Sequence, residues 1–124
     1  MESILLSIKK LLGISNEYEV FDADLIMHIN TALMVLTQIG VGPSTGFYIV
    51  DSSETWTDFL GEDLHRLGAV KSYVYMKVKL LFDPPSSSSV IESTNKIIDE
   101  MEWRLHVATD PIEGTSEVNN QNGG

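Results

Sequence analysis

The side chains with the chemistry for catalysis or metal binding are three histidines and eighteen acidic residues, because the chain has no cysteine. His28, His65 and His106 are far apart, and they form neither an HExxH motif nor an i, i+4 pair. No serine stands in a GxSxG sequence, and no carboxylate pair has the apolar context that raises a pKa. We therefore expect no catalytic residue, metal ligand or cofactor site, although the fold alone can still assemble one from distant residues.

The charge of the chain excludes several other classes of function. The formal net charge is −10, and residues 1–65 alone hold 10 acidic and 2 basic side chains. Residues 66–106 hold 5 acidic and 6 basic side chains, and residues 107–124 hold 3 acidic and none basic. Ordinary nucleic-acid binding depends on basic side chains that neutralise phosphates, so this composition argues against nucleic-acid binding. The simplest alternative is that the acidic residues form a solvated surface.

Three absences point to a soluble intracellular protein. No apolar run approaches the roughly 18 residues of a membrane-spanning helix. There is no basic leader followed by a small-residue cleavage site, so we expect no signal peptide. Without cysteines, no disulfide can form.

The first half of the chain predicts two helices that belong to a single domain. Residues 3–12 follow the apolar spacing of a short amphipathic helix. Residues 21–40 predict a longer one, with Asp22 as its cap. Met27 and Met34 widen the apolar sector of this second helix, so we expect it to be central and covered on several sides.

Residues 41–53 predict a loop that contains a short strand. Turn residues are followed by a β-prone run made of Phe47, Tyr48, Ile49 and Val50. A four-residue strand needs a partner, either within the loop or on a neighbouring subunit, so we interpret this segment as structural or intersubunit. The spacing of Gly42 and Gly46 is not that of a phosphate-binding loop, which would also need a lysine.

The second half predicts three more helices. Thr55 and Asp58 nearly match a capping box, with Asp in place of Glu or Gln, for a short helix that contains Trp56, a side chain we expect to be buried. Residues 66–83 are β-prone, but their length and their Asp-Pro-Pro end favour a helix. A capping box at Ser89 and Glu92 predicts a last helix that runs to about residue 106.

The last helix carries a large aromatic residue on its polar side. Trp103 lies opposite the apolar stripe, which consists of Val90, Ile91, Ile97, Ile98, Met101 and Leu105. It is a candidate interface anchor, and the alternative is a rim side chain that folds against its own helix.

We expect two regions and one fold class. Residues 1–108 form an all-α domain, a small bundle of about four to five helices with a loop or short β-hairpin insertion. Residues 109–124 are predicted to be a flexible tail, in which Ile112 and Val118 are isolated apolar anchors for a partner.

The order of these segments resembles that of the small head–tail connector, or head-completion, proteins of tailed bacteriophages. The resemblance covers about residues 1–106: the opening helix, then FDADLIMHINTALMVLTQIGVGP, then VKSYVYMKVKLLFDPP, and a capped final helix that ends in EWRL.

The resemblance implies a non-enzymatic, all-helical subunit that forms a ring, commonly dodecameric, beneath the portal. Such a ring joins the DNA-filled head to the tail, and DNA passes through its lumen without sequence-specific binding. The C-terminal segment would dock onto the portal, and loops would meet the next neck or tail-completion protein. The subunit would be assembled in the host cytoplasm and end in the virion neck, with no membrane partner. The alternative is a small acidic helical adaptor or regulatory protein, which would stay a monomer or dimer.

Overall fold

A computed structural model of the chain describes residues 2–109, which form an all-α bundle. The predicted fold class is therefore confirmed, with a loop and no strand in the described range. A 3₁₀ turn, Leu64–Arg66, precedes α4, and the five helices are α1 Ile4–Leu12, α2 Asp22–Gln38, α3 Trp56–Leu60, α4 Leu67–Phe82 and α5 Ser88–Thr109. The predicted anchors Ile112 and Val118 lie outside the described residues.

Local signals place the ends of α1 and α3 where the sequence predicts them. The Ser3 hydroxyl accepts the N–H of Leu6 at 3.2 Å, and Gly13 ends α1 with a φ of 80°, which favours glycine. At α3, both bonds of the capping box between Thr55 and Asp58 are present, at 3.2 and 2.9 Å. These helices therefore begin and end by short-range chemistry.

The middle position in the bundle belongs to α4, because it packs against α1, α2 and α5. The prediction that α2 is covered on several sides is wrong. Its most extensive contact is with α4, but Met27 and Met34 remain 57% and 51% exposed. At about 100° per residue these methionines lie nearly opposite the buried line of α2, so this part of the helix surface stays exposed.

A buried lysine ties α1 to the segment that follows it. The Lys9 side chain is completely buried, and its Nζ donates to the carbonyl oxygens of Tyr18 at 2.8 Å and Asn16 at 3.2 Å. The same Nζ lies 2.8 Å from Oδ1 of Asp22. One ammonium group thus fixes the connection between α1 and α2 and also the start of α2.

The predicted role of Asp22 as the cap of α2 is wrong. The N-cap residue is Phe21, which makes no side-chain capping bond, and Asp22 is the first residue of the helix. Its carboxylate pairs with Lys9 instead, at a position where the helix dipole also favours negative charge.

Helix α5 is joined to α4 by a buried tyrosine. The Tyr73 hydroxyl donates to Oε2 of Glu102 at 2.7 Å, and Nζ of Lys77 lies 3.7 Å from the same oxygen. Burial, together with the hydrogen bond to Glu102, raises the pKa of Tyr73 well above its ordinary value. Tyr73 therefore remains a protonated donor across the neutral and mildly alkaline range.

The start of α5 differs from the prediction. The helix begins at Ser88, and Ser87 accepts the N–H of Val90 on its hydroxyl at 3.4 Å, so the capping box predicted at Ser89 and Glu92 is wrong. Four consecutive serines at residues 86–89 offer the same capping group several times, so the pattern does not fix the register.

An ion pair lies on the surface of α5. Nη2 of Arg104 is 2.7 Å from Oε2 of Glu100, four residues earlier in the helix.

Replacement of Lys9 by methionine should destabilise the protein by about 3–5 kcal/mol, the usual cost of removing one partner from a buried ion pair. Two carbonyl groups and the Asp22 carboxylate lose their donor, whereas the volume of the side chain at position 9 hardly changes. Urea unfolding followed by circular dichroism measures the loss. Lys10→Met, at the exposed neighbouring position, is the matched control and should change the unfolding free energy by less than about 0.5 kcal/mol. Equal losses in the two variants would contradict the role of Lys9.

Candidate interaction surfaces

The segment predicted as a strand is held by a side chain rather than by another strand. Oδ1 of Asn30 accepts the N–H of Ile49 at 2.8 Å, and Nδ2 of Asn30 donates to the carbonyl oxygen of Ile49 at 3.0 Å. The carboxamide thus supplies the two bonds that a neighbouring strand would supply. Residues 47–50 therefore form no strand within residues 2–109, because the partner of the extended segment in this chain is an amide on α2. Pairing of the segment with a neighbouring subunit stays a prediction.

The extended segment alternates between the core and the surface. Ile49 is 1% exposed, and the ring of Phe47 lies 5.3 Å from that of Phe59, measured between centroids. Tyr48 and Val50 point the other way and are 69% and 60% exposed. The four predicted interface residues of the loop thus divide into two core anchors and two displayed side chains.

Hydrogen bonds on the far side of the segment fix its backbone. The Glu54 carboxylate accepts the N–H of Val50 at 2.9 Å and that of Asp51 at 3.3 Å. The Ser53 N–H donates to Asp51 at 2.8 Å, and hydrogen bonds from the side chain and backbone of Ser53 hold the pKa of Asp51 below its ordinary value. Tyr48 and Val50 are therefore displayed by a backbone that is bonded on both sides.

At the start of the loop, the backbone passes close to α3. Gly42 has a φ of 84°, and a Cβ at this position would collide with the ring of Phe59. Only glycine satisfies both conditions, so the turn brings the chain close over the Phe59 ring.

The loop leaves along the start of α1. Ile4 donates its N–H to the carbonyl of Glu54 at 3.0 Å, and Ser3 and Thr55 form an isolated antiparallel bridge. Trp56 is buried, and its Nε1–H donates to the Ser7 hydroxyl at 2.8 Å. The prediction that Trp56 packs in the core is confirmed.

Two methionines of α2 lie near this loop, although the sequence predicts that they are covered. Met27 and Met34 lie three residues before and four residues after Asn30, so they share its face of α2. Together with Tyr48 and Val50 they make an exposed apolar surface around the Asn30–Ile49 clamp, which we call the α2–loop patch. The exposure of Met27 and Met34 could have been predicted from the sequence, because both lie nearly opposite the buried residues of α2 on a helical wheel.

A second exposed surface lies on α5. Trp103 is 64% exposed, on the side away from the buried Ile98 and Leu105, as the sequence predicts. Val107, one turn later, is 47% exposed, and we call these two side chains the Trp103 patch. The function of Trp103 as an interface anchor stays a prediction.

The predicted apolar stripe of α5 is only partly buried. Ile98 and Leu105 are covered, but Val90 and Ile97 are 47% and 49% exposed. The side of α5 that contacts the bundle is therefore narrower than the apolar stripe.

The two patches face different directions. Helix α4 lies between α2 and α5, with which it makes its two most extensive contacts. Each patch is on the side of its helix away from the buried residues of that helix. One subunit thus presents two different apolar surfaces.

The histidines do not come together. His65 Nδ1 lies 3.0 Å from Asp63, the His28 ring meets that of Phe82 at 6.5 Å, and His106 Nδ1 lies 3.1 Å from the Ile39 carbonyl oxygen. Within residues 2–109 there is no group of three or more His, Asp or Glu that could hold a metal ion. In that same range, every helix is too short or too polar to cross a bilayer.

One comparison with known proteins gives a match. A family model described as "Phage connector protein" matches residues 4–111, which include all five helices. No curated protein and no solved structure matches the chain significantly.

Replacement of Asn30 by alanine should release the loop and lower the free energy of unfolding by about 2–3 kcal/mol, because the buried N–H and C=O of Ile49 lose their partners. Hydrogen exchange of the Ile49 amide should accelerate in the same variant. Asn30→Asp keeps the oxygen that accepts the Ile49 N–H but loses the N–H that donates to the Ile49 carbonyl. In this variant the Ile49 amide should therefore stay protected from exchange. Gln38→Ala, at an exposed site on α2, is the control and should leave both quantities unchanged. Unchanged protection in Asn30→Ala would refute the clamp.

Proposed function

Because the chain belongs to the phage connector protein family, we propose that it forms a ring that joins the portal of the DNA-filled head to the tail. Family membership rests on the match over residues 4–111, most of the chain. The family implies a structural, non-enzymatic component of the virion that associates with head and tail proteins. The ring, the portal contact and the DNA channel are the parts that we propose.

The observation that carries the ring is the presence of two different exposed apolar patches on one subunit. A closed ring uses a heterologous interface, in which one surface of each subunit meets a different surface of the next. The Trp103 patch of one copy would pack on the α2–loop patch of its neighbour, and a dodecamer is the proposed size. Tryptophan, tyrosine and methionine are enriched at the centres of such interfaces, and a preformed loop lowers the entropic cost of association.

Charge supports passage of DNA through the lumen without specific binding. Acidic side chains outnumber basic ones by 18 to 8. Six of the basic ones pair with a carboxylate within the subunit: Lys9, Arg66, Lys71, Lys77, Lys79 and Arg104. A protein with few available cations releases few counterions from DNA and so binds it weakly. A net repulsive wall lets the duplex slide, since attractive contacts would hold it at fixed positions.

The C-terminal segment is the proposed portal contact. Residues 110–124 contain three acidic side chains and no basic one, with Ile112 and Val118 as apolar anchors. A segment of this composition can order on a partner surface, and the multiplicity of a ring would add avidity to a modest affinity per site. The opposite face of the ring would meet the next neck or tail-completion protein. Assembly would take place in the host cytoplasm, before the protein becomes part of the virion neck.

Replacement of Trp103 by alanine should dissociate the ring and leave the subunit folded, because the side chain is 64% exposed. Loss of a central aromatic anchor costs roughly 2 kcal/mol or more, about a 30-fold weaker interface. Tyr48→Ala, on the other patch, should act in the same direction, and native mass spectrometry measures the subunit number. Val20→Ser is the matched control, since Val20 is 70% exposed and belongs to neither patch. A wild-type protein that stays monomeric even with portal particles would refute the ring.

Deletion of residues 110–124 should leave the helical signal and the melting temperature nearly unchanged, because the described core lies within residues 2–109. The same deletion should weaken attachment to portal particles, which co-sedimentation measures. Unchanged attachment would mean that the tail is an inert end. Loss of helical signal would mean that residues 110–124 pack on the core.

A further inference from the structure

A groove that neither patch includes lies between the start of α4 and the C-terminal half of α5. Its volume is about 310 Å³, and its lining consists of His65, Arg66, Ala69, Met101, Arg104, Leu105 and Ala108. The sequence did not predict it, because its two walls are more than thirty residues apart in the chain.

The lining combines an apolar floor with a basic rim. Ala69, Met101 and Leu105 are apolar, and the seven lining residues include two arginines and no acid. Arg66 already has partners within the chain, since it donates to the Leu105 carbonyl at 3.0 Å and to the Asp63 carboxylate at 3.4 Å. Arg104 is 71% exposed, and its surface pair with Glu100 contributes little free energy, so its guanidinium can exchange to another carboxylate. The groove therefore suits an apolar side chain next to an acidic one.

The chain itself carries such a segment directly after the last described residues. Ala108 lines the groove. After Thr109, the sequence continues Asp110-Pro111-Ile112-Glu113. A residue before proline avoids the helical conformation, so Pro111 favours a change of direction here. Ile112 can reach about 14 Å from Ala108 if extended, and the lining of α5 from Met101 to Ala108 spans about 10 Å.

We propose that this groove binds the segment that follows α5 in the same chain, with Ile112 on the apolar floor and the Glu113 carboxylate near Arg104. The inference goes beyond the neck function and does not depend on it. The contact is reversible, because one isoleucine and one exposed ion pair are its main contributions. In the unassembled subunit the groove shields Ile112, and a portal that binds the same segment has to displace it.

A disulfide-trapping experiment on the full chain tests the contact, because the chain has no cysteine of its own. Ala69→Cys combined with Gly114→Cys places one thiol in the groove and one close to Ile112, and it keeps the Glu113 carboxylate. The effective concentration of the two thiols is measured against glutathione. Tyr48→Cys with Gly114→Cys is the matched pair on the α2–loop patch, and it should have a much lower effective concentration.

The decisive comparison is Ile112→Ser in the Ala69→Cys, Gly114→Cys background. Loss of the buried isoleucine should lower the effective concentration about tenfold. Val118→Ser in the same background should leave it unchanged. Circular dichroism of each variant checks that the helices are intact.

Two results would overturn the proposal. An effective concentration that is the same with and without Ile112 would mean that the segment meets the groove only by chance. A cross-linked dimer as the main product, identified by intact mass, would assign the groove to the tail of a second copy. The ring and portal measurements are separate, so a failure there leaves this test intact.

Discussion

The buried ammonium group of Lys9 is the contact on which the arrangement of the first half of the chain depends. A charge without water must be satisfied completely, and here two backbone carbonyls and the Asp22 carboxylate do so. This requirement fixes the connection after α1, and with it the start of α2. Helix α2 in turn carries Asn30, whose carboxamide holds Ile49. Tyr48 and Val50, on either side of Ile49, are thereby left on the surface.

Apolar and polar contacts have different roles in the subunit. Apolar residues of α1, α2 and α4 fill the core, whereas a small set of polar contacts decides which apolar side chains stay outside. Exposed methionines on α2 and an exposed tryptophan on α5 are costly for an isolated subunit, since large apolar patches favour association. They are well suited to a phage connector protein, whose working state is an assembly. The α4–α5 groove adds a site where an apolar residue of the tail can be shielded before assembly.

Much of the secondary structure could be predicted because its signals are local. Helix α1 has a serine cap and a glycine end, α3 has a capping box, and α4 ends at Asp-Pro-Pro. Trp56 and Trp103 were also placed correctly, one inside and one outside, because helix periodicity assigns each residue to a face. The surfaces were predicted less well: Trp103 and the loop were found, but Met27, Met34 and the groove were missed.

The sequence by itself determined the all-α class, most helix ends and the acidic character, since propensity, capping and composition act within a few residues. Only the tertiary structure decided which partner each exposed or polar group meets. The β-prone residues 47–50 stayed outside a strand because Asn30, nineteen residues before Ile49, supplied the pairing bonds. Asp22 became the partner of Lys9 rather than a cap for the same reason. Hydrogen-bond and charge satisfaction depend on distance in space, and spacing along the chain does not give that distance.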